Sequence, residues 1–163
     1  PMNKRIRQLS KGMITQLHLA LIMAIDADLL VLDEPTIGLD ILYRKSFYDQ
    51  LLNDYFDHER SIIVSTHQVE EIEALLTHVL FIDSGRIVLD SAMDELASQY
   101  AEVLVNPDKV EDALALQPIN VREMLGRRSM IFEGVSRETL EQLGELHVPS
   151  ITDLFVAKMQ HGS

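Results

Sequence analysis

Between Ser10 and Leu89 the apolar positions switch back and forth between helical and strand spacing, the alternation expected of an α/β layer structure. Three runs predict strands. Leu29-Leu30-Val31-Leu32, Ser61-Ile62-Ile63-Val64-Ser65 and Val79-Leu80-Phe81-Ile82 are apolar or β-branched stretches of the kind a parallel sheet covers on both faces. Helices fall between them. Ser10 predicts a cap for a helix over 12–27, apolar nearly all round and so suited to core or subunit contact. Asp40 predicts a cap for a helix running to Phe56, with Ile41, Phe47, Tyr48, Leu51, Leu52 and Tyr55 on one face. Residues 68–76 predict a third helix, with Val69, Ile72, Leu75 and Leu76 inward and Glu70, Glu71 and Glu73 outward. Asp83-Ser84-Gly85-Arg86 then predicts a hairpin turn into Ile87-Val88-Leu89.

After Asp90 the texture changes. The pattern predicts a short helix over 92–98, a strand over 102–105 and a break at Asn106-Pro107. Beyond it follow a helix over 108–116, strands over 120–124 and 130–135, a helix capped by Ser136 and a last helix opened by Pro149-Ser150 with Asp153 three residues on. This order suits a small α+β unit, so the chain reads as one layered α/β region over 1–97 and an α+β extension over 98–163.

Charge narrows the partners. Asp plus Glu number 26 against 14 Lys plus Arg, a formal charge of −12, which disfavours long-range steering onto DNA; no nucleic-acid partner is expected. The absence of cysteine removes disulfide scaffolds, thiolate metal sites and thiol nucleophiles. The richest apolar run, Leu17 to Ile25, contains His18 and stops at Asp26, well short of the roughly 18–20 residues that cross a bilayer. No apolar stretch follows the basic residues near the N-terminus, so no secretory signal is read, and a start at Pro-Met suits a chain that begins mid-gene.

The strongest chemical feature is the strand 29–32 followed at once by Asp33-Glu34-Pro35. Ligands of open parallel sheets bind at the carboxyl ends of the strands, and nucleotide hydrolases place there an acid for Mg²⁺ and a residue that orients water. Alone, such a pair is more often a solvated acidic turn than a functional site. Leu9-Ser10-Lys11-Gly12-Met13 opens a helix whose free N–H groups suit an anion, although Ser10 could serve merely as a cap. Gly38-Leu39-Asp40 reads as a turn and cap, and Ser65-Thr66-His67 delivers an imidazole to the sheet edge that carries Asp33 and Glu34. His58, His78, His147 and His161 have no metal spacing, and Arg127-Arg128 is a weak phosphate candidate.

In order and spacing these segments resemble the ATP-binding-cassette (ABC) ATPases, the nucleotide-binding subunits of ABC transporters. Leu9 to Met13 is similar to the family's signature motif, Leu29 to Glu34 to Walker B with its glutamate, Gly38-Leu39-Asp40 to the D-loop and His67 to the switch histidine. Gly12 precedes Asp33 by 21 residues and Glu34 precedes His67 by 33, separations that suit the family. The resemblance implies a P-loop NTPase-like parallel sheet flanked by helices, and it implies roles. Asp33 would hold the Mg²⁺ shell, Glu34 would polarise the attacking water and His67 would contact the γ-phosphate of ATP. Leu9, Ser10, Lys11, Gly12 and Met13 would present the signature to ATP held by a second ATPase subunit, identical or not, and Asp40 would cross the interface between the two. Transmembrane transporter subunits would place the protein on the cytoplasmic face of the membrane.

Departures from the family qualify these roles. None of the seven glycines is followed by lysine, so the phosphate loop G-x-x-x-x-G-K-[ST] is absent, and with it most ground-state affinity for ATP. Lys11 and Met13 stand where the family more often has Gly and Gln, and Gln16 where a basic residue is common. The chain therefore resembles the C-terminal part of a cassette and is expected to hydrolyse ATP poorly by itself. The alternative is a non-catalytic module that lends its signature to a complete cassette in trans.

Overall fold

The computed structural model describes residues 5–55, 60–124 and 126–161. By its internal contacts the chain divides into two compact units, Pro1–Ile72 and Glu73–Ser163. The boundary read from the sequence lies further on, at 97/98.

In the first unit, helix α1 (Lys11–Met23) starts at Ser10, whose hydroxyl accepts the Met13 amide at 3.2 Å. Strand β1 (Leu29–Asp33), helix α2 (Ile41–Gln50) and strand β2 (Ser61–Ser65) follow. Asp40 caps α2 by accepting the Tyr43 amide at 3.1 Å. A single π-helical turn over Leu51–Tyr55 continues α2, and Phe56 and His58 lie outside the described residues. The two strands pair in parallel, Leu29 opposite Ser61 through Asp33 opposite Ser65, so their carboxyl ends are level. Leu30 and Leu32 are buried, as are Leu39, Phe47, Tyr48 and Leu51.

Three expectations need correction here. The strands are covered on one face only, because Leu29, Val31 and Ile63 stay half exposed or more while the alternate positions of β1 are buried. Helix α1 buries Leu19 alone and leaves Leu21 exposed, and Ile41, expected on the inner face of α2, is exposed. Residues 68–76 form two short 3₁₀ turns, Val69–Glu71 and Glu73–Leu75, in place of one helix. At the break Ile72 sits at φ −122°, outside the helical range, and the Glu73 side chain accepts the amide of distant Ile151 at 3.0 Å.

The second unit opens with a hairpin, β3 (His78–Asp83) and β4 (Arg86–Ala92), antiparallel to each other. The third predicted strand is thus no member of the parallel pair, and its Leu80 and Ile82 face solvent. Its turn residues Ser84 and Gly85 both take positive φ, +48° and +77°, as a two-residue type I′ turn requires. Helix α3 (Met93–Gln99) leads into β5 (Tyr100–Val105), α4 (Val110–Ala115), β6 (Asn120–Met124), β7 (Arg127–Glu133), α5 (Arg137–Glu141) and β8 (Gly144–His147). The order β-α-β-β-α-β, with sheet order β6-β7-β5-β8, is that of a ferredoxin-like split βαβ unit.

Its core is Val103, Val105, Ala113, Met130, Phe132, Leu140 and Leu143, all buried. The last helix, α6 (Ile151–His161), buries Ile151, Leu154 and Ala157. Ion pairs fasten it at both ends, Arg122 to Asp153 at 2.6 Å and Lys158 to Glu133 at 2.8 Å. Lys158 also stands 4.9 Å above the ring centre of Tyr100. Arg127 is engaged by Glu145 at 2.7 Å and by the Leu104 carbonyl at 3.0 Å, so its charge is already committed.

Candidate functional site

Level strand ends bring the predicted acids and the histidine together. Asp33 and Ser65 are register partners, and the Ser65 hydroxyl donates to the Asp33 carboxylate. The next amide, that of Glu34, donates to the Ser65 carbonyl at 2.9 Å and so extends the ladder by one bond. There the backbone turns: Glu34 lies at φ +44°, in the left-handed region that residues other than glycine seldom occupy.

Three donors from the loop after β2 hold its side chain. The His67 amide at 3.0 Å and the His67 ring Nδ1–H at 2.6 Å reach the same oxygen, Oε1, and the Thr66 hydroxyl approaches Oε2 at 3.4 Å. The hydrogen bond from His67 is the main reason the Glu34 carboxyl is held below its usual 4.5. Burial opposes it, and the imidazole charge and the Thr66 bond add to it. Glu34 is therefore a carboxylate at neutral pH, with Oε1 occupied and Oε2 only lightly engaged.

The signature-like segment lies against the other predicted turn. At Gly12 an added Cβ would stand 3.4 Å from the Gly38 carbonyl, so α1 begins beside the Gly38-Leu39-Asp40 turn. Leu9 is half-buried, Ser10 and Lys11 are exposed, and Gly12 and Met13 are half-buried. Ser10 takes the Met13 amide, which leaves the amides of Lys11 and Gly12 with no acceptor among the described residues, as at any open helix start. Asp40 is exposed at the cap of α2.

Several residues that the sequence reading passed over complete the frame. Buried Thr36 meets the Tyr48 hydroxyl at 3.4 Å. Arg44 donates from Nε to the Leu39 carbonyl at 2.8 Å and from Nη1 to Gln68 at 2.6 Å and Glu71 at 2.8 Å. One signal could have found Arg44: a cation in the opening turns of a helix opposes the dipole there and calls for acceptors elsewhere.

An Asp carboxylate beside a Ser hydroxyl is an oxygen donor pair that could hold a hard cation. Among the described residues no three His, Asp or Glu side chains cluster as a protein cage would require. Asp33 with the Ser65 hydroxyl matches instead the habit of Mg²⁺ of taking one or two protein ligands and completing its shell with water and substrate phosphate.

The family model that matches is described as an AAA domain of the AbiEii toxin, type IV toxin–antitoxin kind, and it covers residues 5–73, which contain all of this site. A curated relative, the ABC transporter ATP-binding protein YtrB of Bacillus subtilis, is 30% identical over 103 residues, 63% of this chain and 35% of its own length. The ABC transporter ATP-binding protein NatA of the same organism is 33% identical over 95 residues, 58% of this chain and 38% of its own. A Methanosarcina mazei protein named as an ABC transporter ATP-binding protein is 28% identical over 141 residues, 86% of this chain and 22% of its own.

The chain is similar in sequence to ATP-binding proteins of ABC transporters. It spans between about a fifth and two fifths of the length of these relatives. Its α/β layout, a parallel pair and antiparallel sheets flanked by helices, is that of a partial P-loop ATPase domain with more chain appended. Among the described residues no helix is long and apolar enough to cross a membrane.

Proposed function

We propose that this chain is the hydrolytic C-terminal part of an ABC transporter ATPase subunit, acting on Mg²⁺-bound ATP at an interface with a second ATPase subunit. The observation that carries the reading is Glu34: a carboxylate in a left-handed turn at the end of a parallel strand, beside Asp33 and pinned through Oε1 by His67. Pinning one oxygen fixes the other. Oε2, with a single long contact to Thr66, is the acceptor free to take a proton of the attacking water and align it. The lowered pKa of Glu34 keeps it charged for this task.

Asp33 and Ser65 would hold Mg²⁺, which supplies charge neutralisation on the phosphates when bound. His67, exposed on the other side of the pair, would meet the γ-phosphate. The Lys11 and Gly12 amides, with Leu9, Ser10 and Met13 shaping the turn, would receive the phosphate of ATP held by the second subunit. Asp40 would cross to that subunit. Membrane-embedded transporter subunits would receive the work at the cytoplasmic face. Because no phosphate loop with its lysine is present, turnover requires a complete cassette and the chain alone is expected to be nearly inactive.

The test is Glu34→Gln in a complete ATP-binding subunit that carries this chain. Loss of a positioned base should slow hydrolysis by roughly 10²–10⁴-fold while ATP binding persists. Hydrolysis at the parental rate would remove Glu34 from the role.

A further inference from the structure

Arg44 is placed where its charge is unfavourable, and its bonds explain why. It lies four residues after the Asp40 cap, near the positive end of the α2 dipole. Its half-buried guanidinium folds back to the carbonyl of Leu39 at 2.8 Å and reaches across to Gln68 at 2.6 Å and Glu71 at 2.8 Å. The Gln68 amide donates to the Thr66 hydroxyl at 3.0 Å, and Thr66 and His67 together hold Glu34. A path therefore runs from the Leu39 carbonyl through the Arg44 guanidinium to the Gln68 side chain, and from the Gln68 backbone amide to Thr66 in the loop that fixes Glu34. A planar fork can serve two chain segments at once, whereas the single ammonium of lysine cannot satisfy all three acceptors in this geometry.

We propose that Arg44 is a positioning residue that ties the Gly38-Leu39-Asp40 turn to the Thr66-His67-Gln68 loop, so that a displacement of that turn is passed to the Glu34–His67 pair. The proposal rests on the reading of that pair as the hydrolytic one, and it names the side chain through which a contact made at Asp40 reaches it.

The experiment is amide hydrogen exchange by NMR on the full chain without nucleotide, comparing the His67 and Gln68 amides with those of β1 and β2. Arg44→Met should speed exchange at His67 and Gln68 by about tenfold or more relative to the strands, the effect of losing a charge-assisted hydrogen bond. Arg44→Lys should do the same. Gln68→Leu severs the link while leaving Arg44 on Leu39 and Glu71, and the double variant should add little to either single one, since both cut one path. A uniform rise in exchange across strands and loop would mean that Arg44 only anchors α2, and would overturn the proposal. Should Arg44→Met fail to fold, Gln68→Leu decides: an unchanged ratio between loop and strands overturns the proposal equally. In a complete subunit, Gln68→Leu should lower kcat by about tenfold with KM for ATP little changed. Absence of any hydrolysis by the parental complete subunit would fail the proposed function and leave the exchange result standing.

Discussion

Replacing Gly12 by alanine separates what the fold needs at the start of α1 from what a bound phosphate would need. Gly12 is the second residue of α1, where glycine carries an entropic cost of roughly 0.5–1 kcal/mol against alanine, with the smaller figure fitting a position so near the end. The new Cβ would lie 3.4 Å from the Gly38 carbonyl, an ordinary contact that offsets little of the gain. Gly12→Ala should therefore stabilise the unit Pro1–Ile72 by about 0.5 kcal/mol. With a urea m-value of about 1–3 kcal/mol/M, the midpoint rises by about 0.2–0.5 M, read from α1 and β1 amide signals in a urea series. In a complete subunit the same methyl group would crowd the amides offered to phosphate, and turnover should fall by about tenfold or more. Destabilisation beyond about 1 kcal/mol would refute the steric reasoning. A gain in stability with undiminished turnover would show that the N-terminus of α1 does not face the substrate.

Asp33→Asn in a complete subunit should raise the Mg²⁺ concentration needed for half-maximal hydrolysis by about tenfold or more, and an unchanged Mg²⁺ titration would exclude Asp33 as the ion's ligand. In the second unit, burial would lower the pKa of Lys158, but its hydrogen bonds to Glu133 and the nearness of Tyr100 outweigh burial and leave it above 10.5, while burial raises that of Tyr100 above 10.0. Both raised values mean stability that is complete below about pH 10 and lost as pH climbs through the folded values, so the alkaline melting curve of Lys158→Met should fall less steeply than that of the parent above pH 10. Parallel curves would remove the Lys158–Glu133 bond from the forces holding α6.

Much of this was legible because the chemistry is local. Ser10, Asp40 and Ser136 each cap the helix that follows, accepting an amide three residues on, because a short polar side chain there satisfies an orphan N–H wherever the rest of the chain lies. Strand β2 begins and ends at the residues its β-branched run marks. What failed to show is non-local. The short strand β8 carries one large apolar residue, Leu146, and its place is set by a backbone approach so tight that a Cβ on Gly144 would lie 2.2 Å from the Leu104 carbonyl. The helical spacing over 68–76 is real, yet Arg44 draws Gln68 and Glu71 one way and the Ile151 amide holds Glu73. At the site, Asp33, Glu34 and His67 stood out by type and strand position, while Thr36, Arg44 and Gln68 did not, since an isolated Arg or Gln carries no spacing signal.

Glu34 can be set against the other non-glycine residues that take positive φ. Ser84, at +48°, sits in a type I′ hairpin turn that asks for that conformation, and Gln117, at +55°, follows the end of α4, where a left-handed residue closes a helix. Both obey the turn they belong to. Glu34, at +44°, ends a strand, where glycine would relieve strain of the order of 1–3 kcal/mol. Three hydrogen bonds to its carboxylate offset that strain, and all three come from the loop that carries His67. Stability alone would not select this arrangement, because glycine in the same turn would remove both the strain and the need for the bonds. The glutamate keeps a carboxylate at the strand end with one oxygen fixed and the other available, an arrangement that helps chemistry more than it helps folding.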